Sequence, residues 1–173
     1  MSSHLNTISL AINQIKNTPD IITIDNRKYQ EIINCQYHFN LWDLCHYNWL
    51  EIHQSEAHRM LQGLTSKKYK GYYSSWDKGL KRCLKELNED LYTRRAVIHF
   101  INDKLPCLET VQFLVRNHSL SVIANFRSWE LENFALYDLC LLSNMSRRVY
   151  NEFHNITLNK LTVNVGSAHI LLE

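Results

Sequence analysis

Leu5, Ile8, Ala11, Ile12 and Ile15 recur at three- and four-residue intervals, the spacing that places side chains on one face of a helix. This pattern predicts an amphipathic helix over residues 5–17, stopped by Thr18-Pro19-Asp20, since proline has no N–H to continue a helix. Residues 21–24 (IITI) and 30–41 (QEIINCQYHFNL) are rich in β-branched and aromatic side chains and predict extended segments. Residues 42–62 return to helical spacing, and 65–75 (TSKKYKGYYSS) read as a polar, basic loop. Leu80, Cys83, Leu84 and Leu87 then form one stripe with Lys and Glu opposite, which predicts a surface helix over 76–90. After it the pattern changes. Residues 94–103, 108–117 and 120–126 are apolar runs divided by NDKLP and NHS, which predicts consecutive strands, at least two of them antiparallel. Leu131 to Tyr150 is helical again, and 161–165 (LTVNV) is a last strand. Helices and strands mix without βαβ alternation, so the expected class is α+β.

Composition narrows this picture. The 173 residues fit one domain, 1–173, and 45% hydrophobic with 21% charged residues is a globular composition. A net charge of +2 gives no reason to expect a nucleic-acid partner. No basic stretch followed by an apolar core opens the chain, and no apolar run reaches membrane-spanning length, so the expectation is a cytoplasmic protein without a membrane partner. The five cysteines (35, 45, 83, 107 and 140) are odd in number, scattered and without a CxxC pair. That fits a reducing compartment better than a disulfide scaffold or a zinc site. The nine histidines are scattered without an HExxH, and no metal is expected. A free cysteine is most often a small apolar filler; it becomes a nucleophile only where nearby positive charge lowers its pKa.

Four stretches carry a resemblance. LKRCLKELNEDLYTRRAVIHFIND, LPCLETVQF, LSVIANFRSWELENFALYDL and NVGSAHILLE resemble, in order and at nearly the same spacing, segments of the thymidylate synthases and their deoxycytidylate hydroxymethylase relatives. The match covers residues 80–173; upstream it is looser, with Arg27 ahead of a strand ending FNL and YYSSW at 72–76. The resemblance implies a single thymidylate synthase-like domain. Its mixed or antiparallel sheet would be covered by helices, and its homodimer would form through that sheet with shared active sites.

The chemistry implied is modification of C5 of a pyrimidine nucleoside monophosphate. C5 is unreactive in the aromatic ring, and a thiolate adding to C6 makes it carbanion-like, splitting one hard step into two easier ones. By resemblance Cys107 is that thiolate. Arg127 and Ser128, with Arg94 and Arg95 lent by the other subunit and Arg27 as a further contact, would hold the phosphate, since guanidinium forks pair with phosphate oxygens in two places at once. Glu130 is the acidic residue after the Arg-Ser pair, and His169 resembles a contact to the ribose 3′-hydroxyl. Asp138 falls where thymidylate synthases carry Asn. A carboxyl group that shares a proton can accept from N4–H of cytosine and donate to N3, so Asp138 points to a (d)CMP hydroxymethylase-like enzyme.

The same stretches also depart from the family's pattern. Leu108 replaces a histidine, Phe126 a glutamine, Ser167 an aspartate and Leu171 a sugar-binding tyrosine. Loss of that tyrosine puts a strict deoxyribose preference in doubt. Glu51 and Glu56 are general-base candidates by region only. The family's one-carbon donor is 5,10-methylenetetrahydrofolate, but the segment that closes over folate, excluding water from a reactive iminium, has no counterpart in the match. The alternative is a catalytically degenerate pyrimidine-monophosphate binder with a regulatory or sensing role.

Overall fold

Helix α1 (Ser3–Lys16) forms where the apolar spacing places it and buries His4, Ile8, Ala11 and Ile15. The computed structural model describes residues 3–47, 70–100 and 106–172. The end of α1 is tied to the sheet by the Gln30 side-chain amide, which donates to the carbonyls of Lys16 (3.3 Å) and Thr18 (2.5 Å). Carbonyls at a helix end have no partner within the helix, and this glutamine supplies one.

Strands β1 (Ile21–Ile24) and β2 (Arg27–Asn40) form a hairpin around Asp25 and Asn26, with φ of 52° and 62°. Strands β4 (Leu108–Arg116) and β5 (Ser119–Glu130) form another around Asn117 and His118, with φ of 50° and 56°. Two consecutive residues with positive φ give a turn whose twist matches that of the flanking strands. Asn, Asp and His tolerate this region better than most side chains, so neither turn needs a glycine. Helix α2 (Leu41–His46) is capped by Asn40, whose Oδ1 accepts from the Asp43 N–H at 3.1 Å. The remaining elements are α3 (Lys70–Glu89), β3 (Val97–His99), α4 (Ala135–Glu152) and β6 (Thr157–Leu172).

The strands join in one six-stranded mixed sheet in the order β1-β2-β6-β5-β4-β3. The β5–β6 pair is parallel and the other four pairs are antiparallel. Helices flank the sheet, and the class is α+β, as expected. Helix α4 is the most deeply set: Leu139, Cys140, Leu141, Leu142, Met145 and Val149 are all buried. In α3 the predicted stripe is the buried face, with Leu80, Cys83 and Leu87 at most 1% exposed. No described helix is long and apolar enough to cross a membrane.

Several boundaries differ from the sequence reading. Helix α3 begins at Lys70, so residues 70–75, expected in a polar loop, are helical. Strands β5 and β6 extend well beyond the predicted 120–126 and 161–165. The predicted helix from Leu131 starts at Ala135. The predicted helical segments over 48–62, the side chains of the first four residues of YYSSW, and strand residues 101–103 lie outside the described residues, as do Glu51 and Glu56.

β5 and β6 were read short because their alternation reverses midway. Val122, Ala124 and Phe126 are buried in β5, then Trp129; Leu161, Val163 and Val165 are buried in β6, then Ala168 and Ile170. The reversal lies on one line across four strands. Direct pairing skips Asn34 (φ 56°) opposite Gly166 between β2 and β6, and Arg127 between β5 and β6. Between β4 and β5 the register shifts at Leu108/Thr110. Across β2–β6 and β5–β6 the pairing offset is the same on both sides of this line, so a shared kink at Asn34, Gly166 and Arg127, rather than a slip of register, turns the later side chains to the other face. A β-carbon on Gly166 would lie 2.7 Å from the Arg127 carbonyl oxygen, so this approach needs a glycine.

Candidate functional site

Beyond this kink, Ser167 and His169 alternate with buried Ala168 and Ile170, and Ser128 alternates with buried Trp129. They therefore share the sheet face turned away from the core. Tyr29 and Glu31 of β2 join them, because Glu31 pairs with His169 and Tyr29 with Leu171. Ile22, Ile24, Tyr29, Glu31, Arg127, Ser128, Ser167 and His169 line a cavity of about 220 Å³. The Ser167 hydroxyl donates to Glu31 Oε2. The rings of Tyr29 and His169 meet edge to face, 5.3 Å between centroids. A guanidinium, three hydroxyls, an imidazole and a carboxylate on one concave surface can hold an anion at one end and hydroxyl donors at the other.

Of the residues singled out in the sequence, the structure brings Arg127, Ser128 and His169 together here. Cys107 is half-buried and packs against the core rather than lining this cavity. It is coupled to Arg127 through the backbone, since the Arg127 N–H donates to the Cys107 carbonyl at 2.9 Å. Cys45, Cys83 and Cys140 are buried, and burial pushes their thiols up to about 12, 11 and 12, which suppresses the nucleophilic form.

Asp138 lies elsewhere. It is 7% exposed, in the first turn of α4, and its Oδ2 accepts from the Trp129 indole N–H at 3.0 Å. Trp129 is buried and stacks on Phe126, 5.2 Å between centroids. So Asp138 is neither an exposed helix residue nor part of the described cavity lining. Glu130 pairs with His169 across β5–β6. Its carboxylate oxygens accept from the N–H groups of Glu132 (3.0 Å) and Asn133 (2.9 Å), closing the turn before α4.

Arg27 is exposed where β2 begins. Arg94 and Arg95 are exposed just ahead of β3, at the sheet edge opposite β1, and Arg95 pairs with Glu86 at 3.0 Å. Sequence reasoning missed Ile22, Ile24, Tyr29 and Glu31. The two-residue spacing of Tyr29 and Glu31 marked a shared strand face, but their approach to His169 depends on pairing between β2 and β6, some 140 residues apart in the chain.

The class defined by fold and site is thus an α+β protein with a mixed six-stranded sheet and a polar cavity beyond its kink. Among known proteins, no family model and no curated protein matches the sequence.

Proposed function

We propose that this chain binds a pyrimidine nucleoside monophosphate on a thymidylate synthase-like fold and modifies the base at C5 through attack of Cys107 on C6, most nearly as a (d)CMP hydroxymethylase-like enzyme. The observation that carries the reading is the convergence of Arg127, Ser128 and His169 on one cavity, with Arg127 bonded through its backbone to Cys107. Arg127 and Ser128 take the phosphate and His169 the sugar. At about 220 Å³ the cavity is below the usual range of about 300–1,000 Å³ for small-molecule sites, so it suits a sugar phosphate with the base outside.

A homodimer through the open face fits the same reading. Gln36, Asn164, Asn125 and Thr110 form a hydrogen-bonded row across β2, β6, β5 and β4, with links of 2.7, 2.8 and 2.7 Å. Half-buried Leu114 and Ile123 share that face. In such a dimer the exposed Arg94 and Arg95 serve the partner's phosphate. At about 220 Å³ the described cavity is too small for the pterin of 5,10-methylenetetrahydrofolate beside a nucleotide.

Addition of the Cys107 thiolate to C6 moves the ring's electron pair towards C5. C5 then takes a proton from solvent and loses its original hydron, and the thiolate leaves. The test is release of tritium from C5-labelled CMP, dCMP and dUMP. Release that is lost in Cys107→Ala is the expected result; binding without release in the wild type sinks the catalytic reading. One observation favours the alternative of a non-catalytic, regulatory binder: the Asp138 carboxylate is engaged by Trp129 in the interior.

A further inference from the structure

His169 is flanked across the sheet by two glutamates, Glu31 on β2 and Glu130 on β5. Glu130 has both oxygens on backbone amides. Glu31 instead lines the cavity and is half-buried. Its partner is Ser167, which donates to Oε2. An ionised carboxylate is an acceptor with about four lone-pair sites, so one hydroxyl leaves most of that capacity open. The opposite side of the same cavity carries Arg127 and Ser128. A ligand that fills both ends carries an anion a few bonds from two or more hydroxyl donors.

Position 171 adds an independent constraint. Leu171 offers no hydrogen bond to a sugar, and Tyr29, its neighbour across the strand pair, packs its ring edge to face on His169. The polar groups left on this side of the cavity are His169, the Tyr29 hydroxyl and the Glu31–Ser167 pair, of which only Glu31 is a charged acceptor.

We propose that Glu31 reads the sugar, its carboxylate accepting from the 2′- and 3′-hydroxyls of a ribonucleoside monophosphate whose phosphate lies at Arg127 and Ser128. The inference rests on the nucleotide reading and deepens it: the substrate class is ribonucleotides rather than deoxyribonucleotides. A vicinal diol offers two donors to one carboxylate, and a 2′-deoxy sugar offers one. A site built to bond a hydroxyl rejects the analogue that lacks it, because its polar group is then left without its partner. Glu31 is only half-buried and water reaches it in part, so the discrimination is that of one charge-assisted hydrogen bond, roughly 10- to 100-fold in Kd.

The experiment is calorimetric titration of the intact chain with CMP and with dCMP. The wild type is expected to bind CMP about 10- to 100-fold more tightly. Glu31→Gln should bring the two affinities together, because the neutral amide has fewer acceptor sites and removal of the charge affects both phosphates alike. Equal affinities in the wild type, or tighter dCMP binding, overturn the role of Glu31 and leave the nucleotide reading standing. Binding of neither ligand overturns both. A ratio that survives in Glu31→Gln moves sugar recognition to His169 alone and also overturns the proposal. The wild-type ratio decides the sugar preference even if the variant does not fold.

Discussion

The close approach of β6 to Arg127 makes Gly166→Ala a sharp perturbation. The added methyl would sit 2.7 Å from the Arg127 carbonyl oxygen, with the Arg127 carbonyl carbon at 3.5 Å and its Cα at 3.7 Å. These are backbone atoms, so no side-chain rotation relieves the contact; β5 and β6 must separate locally. Overpacking of this kind costs typically about 1–3 kcal/mol. Against it, replacing glycine restricts the unfolded chain and returns about 0.4–1 kcal/mol. The net loss lies between about 0 and 2.6 kcal/mol and centres near 1 kcal/mol. In a chain of this size a loss of about 1 kcal/mol lowers Tm by roughly 2–4 °C. Because the atoms displaced belong to Arg127, affinity for a nucleoside monophosphate should fall as well. Calorimetric melting measures the first effect and ligand titration at a temperature well below the melt the second. A Tm equal to or above that of the wild type would show that β6 does not need a glycine here, and the account of the kink would fail.

Trp129→Phe removes the indole N–H accepted by the buried Asp138 carboxylate and should cost about 1–3 kcal/mol in denaturant unfolding; unchanged stability would mean that this hydrogen bond does not hold Asp138 in place. Cys45, Cys83 and Cys140 are buried, whereas Cys35 and Cys107 are half-buried, so a thiol reagent should label Cys35 and Cys107 first in the native protein and the other three only on unfolding, with mass spectrometry of the labelled peptides as the check. Burial lowers the pKa of His4, partly opposed by Asp43, so the unfolded chain takes up the proton more readily; the stability this gives is present above the ordinary value near 6.5 and lost as pH falls through it. His4→Phe, which keeps a ring against Tyr47, should show a smaller loss of stability between about pH 7.5 and 5.5, and an equal loss would place the dependence on other groups.

The helices and the positions of the strands along the chain were legible because each depends on local spacing. Leu80, Cys83 and Leu87 marked the buried face of α3 without reference to anything distant. The strands were found but shortened, since a period of two was expected to persist and the kink reverses it at Arg127 and Gly166. The start of α3 was missed for a different reason: Lys70 and the residues after it signalled a polar loop, yet their backbone is helical and continuous with the segment that buries Trp76, Leu80, Cys83 and Leu87. Arg127, Ser128 and His169 were visible as residue types in a resembling order, and they converge. Glu31 was not, because nothing near it in the chain indicates that β2 pairs with β6 in the register that puts it across from His169.

The kink also explains why the cavity lies where it does. Up to that line, Phe126 and Val165 turn into the core. Had the alternation continued, Ser128 and Ser167 would follow them inwards, and His169 with them. Buried without partners, their polar groups would cost free energy. With the alternation broken at Arg127 and Gly166 while the pairing offset stays the same, Trp129, Ala168 and Ile170 take the inward positions instead. The three polar side chains turn outwards together, beside Tyr29 and Glu31. The same step brings the Arg127 carbonyl against Gly166 and leaves the Arg127 N–H on the Cys107 carbonyl. One irregularity therefore fixes both the packing of the sheet's far end and the grouping of the charged and hydroxyl-bearing residues. A substitution that restores regular pairing at Gly166 should disturb stability and ligand affinity together rather than either alone.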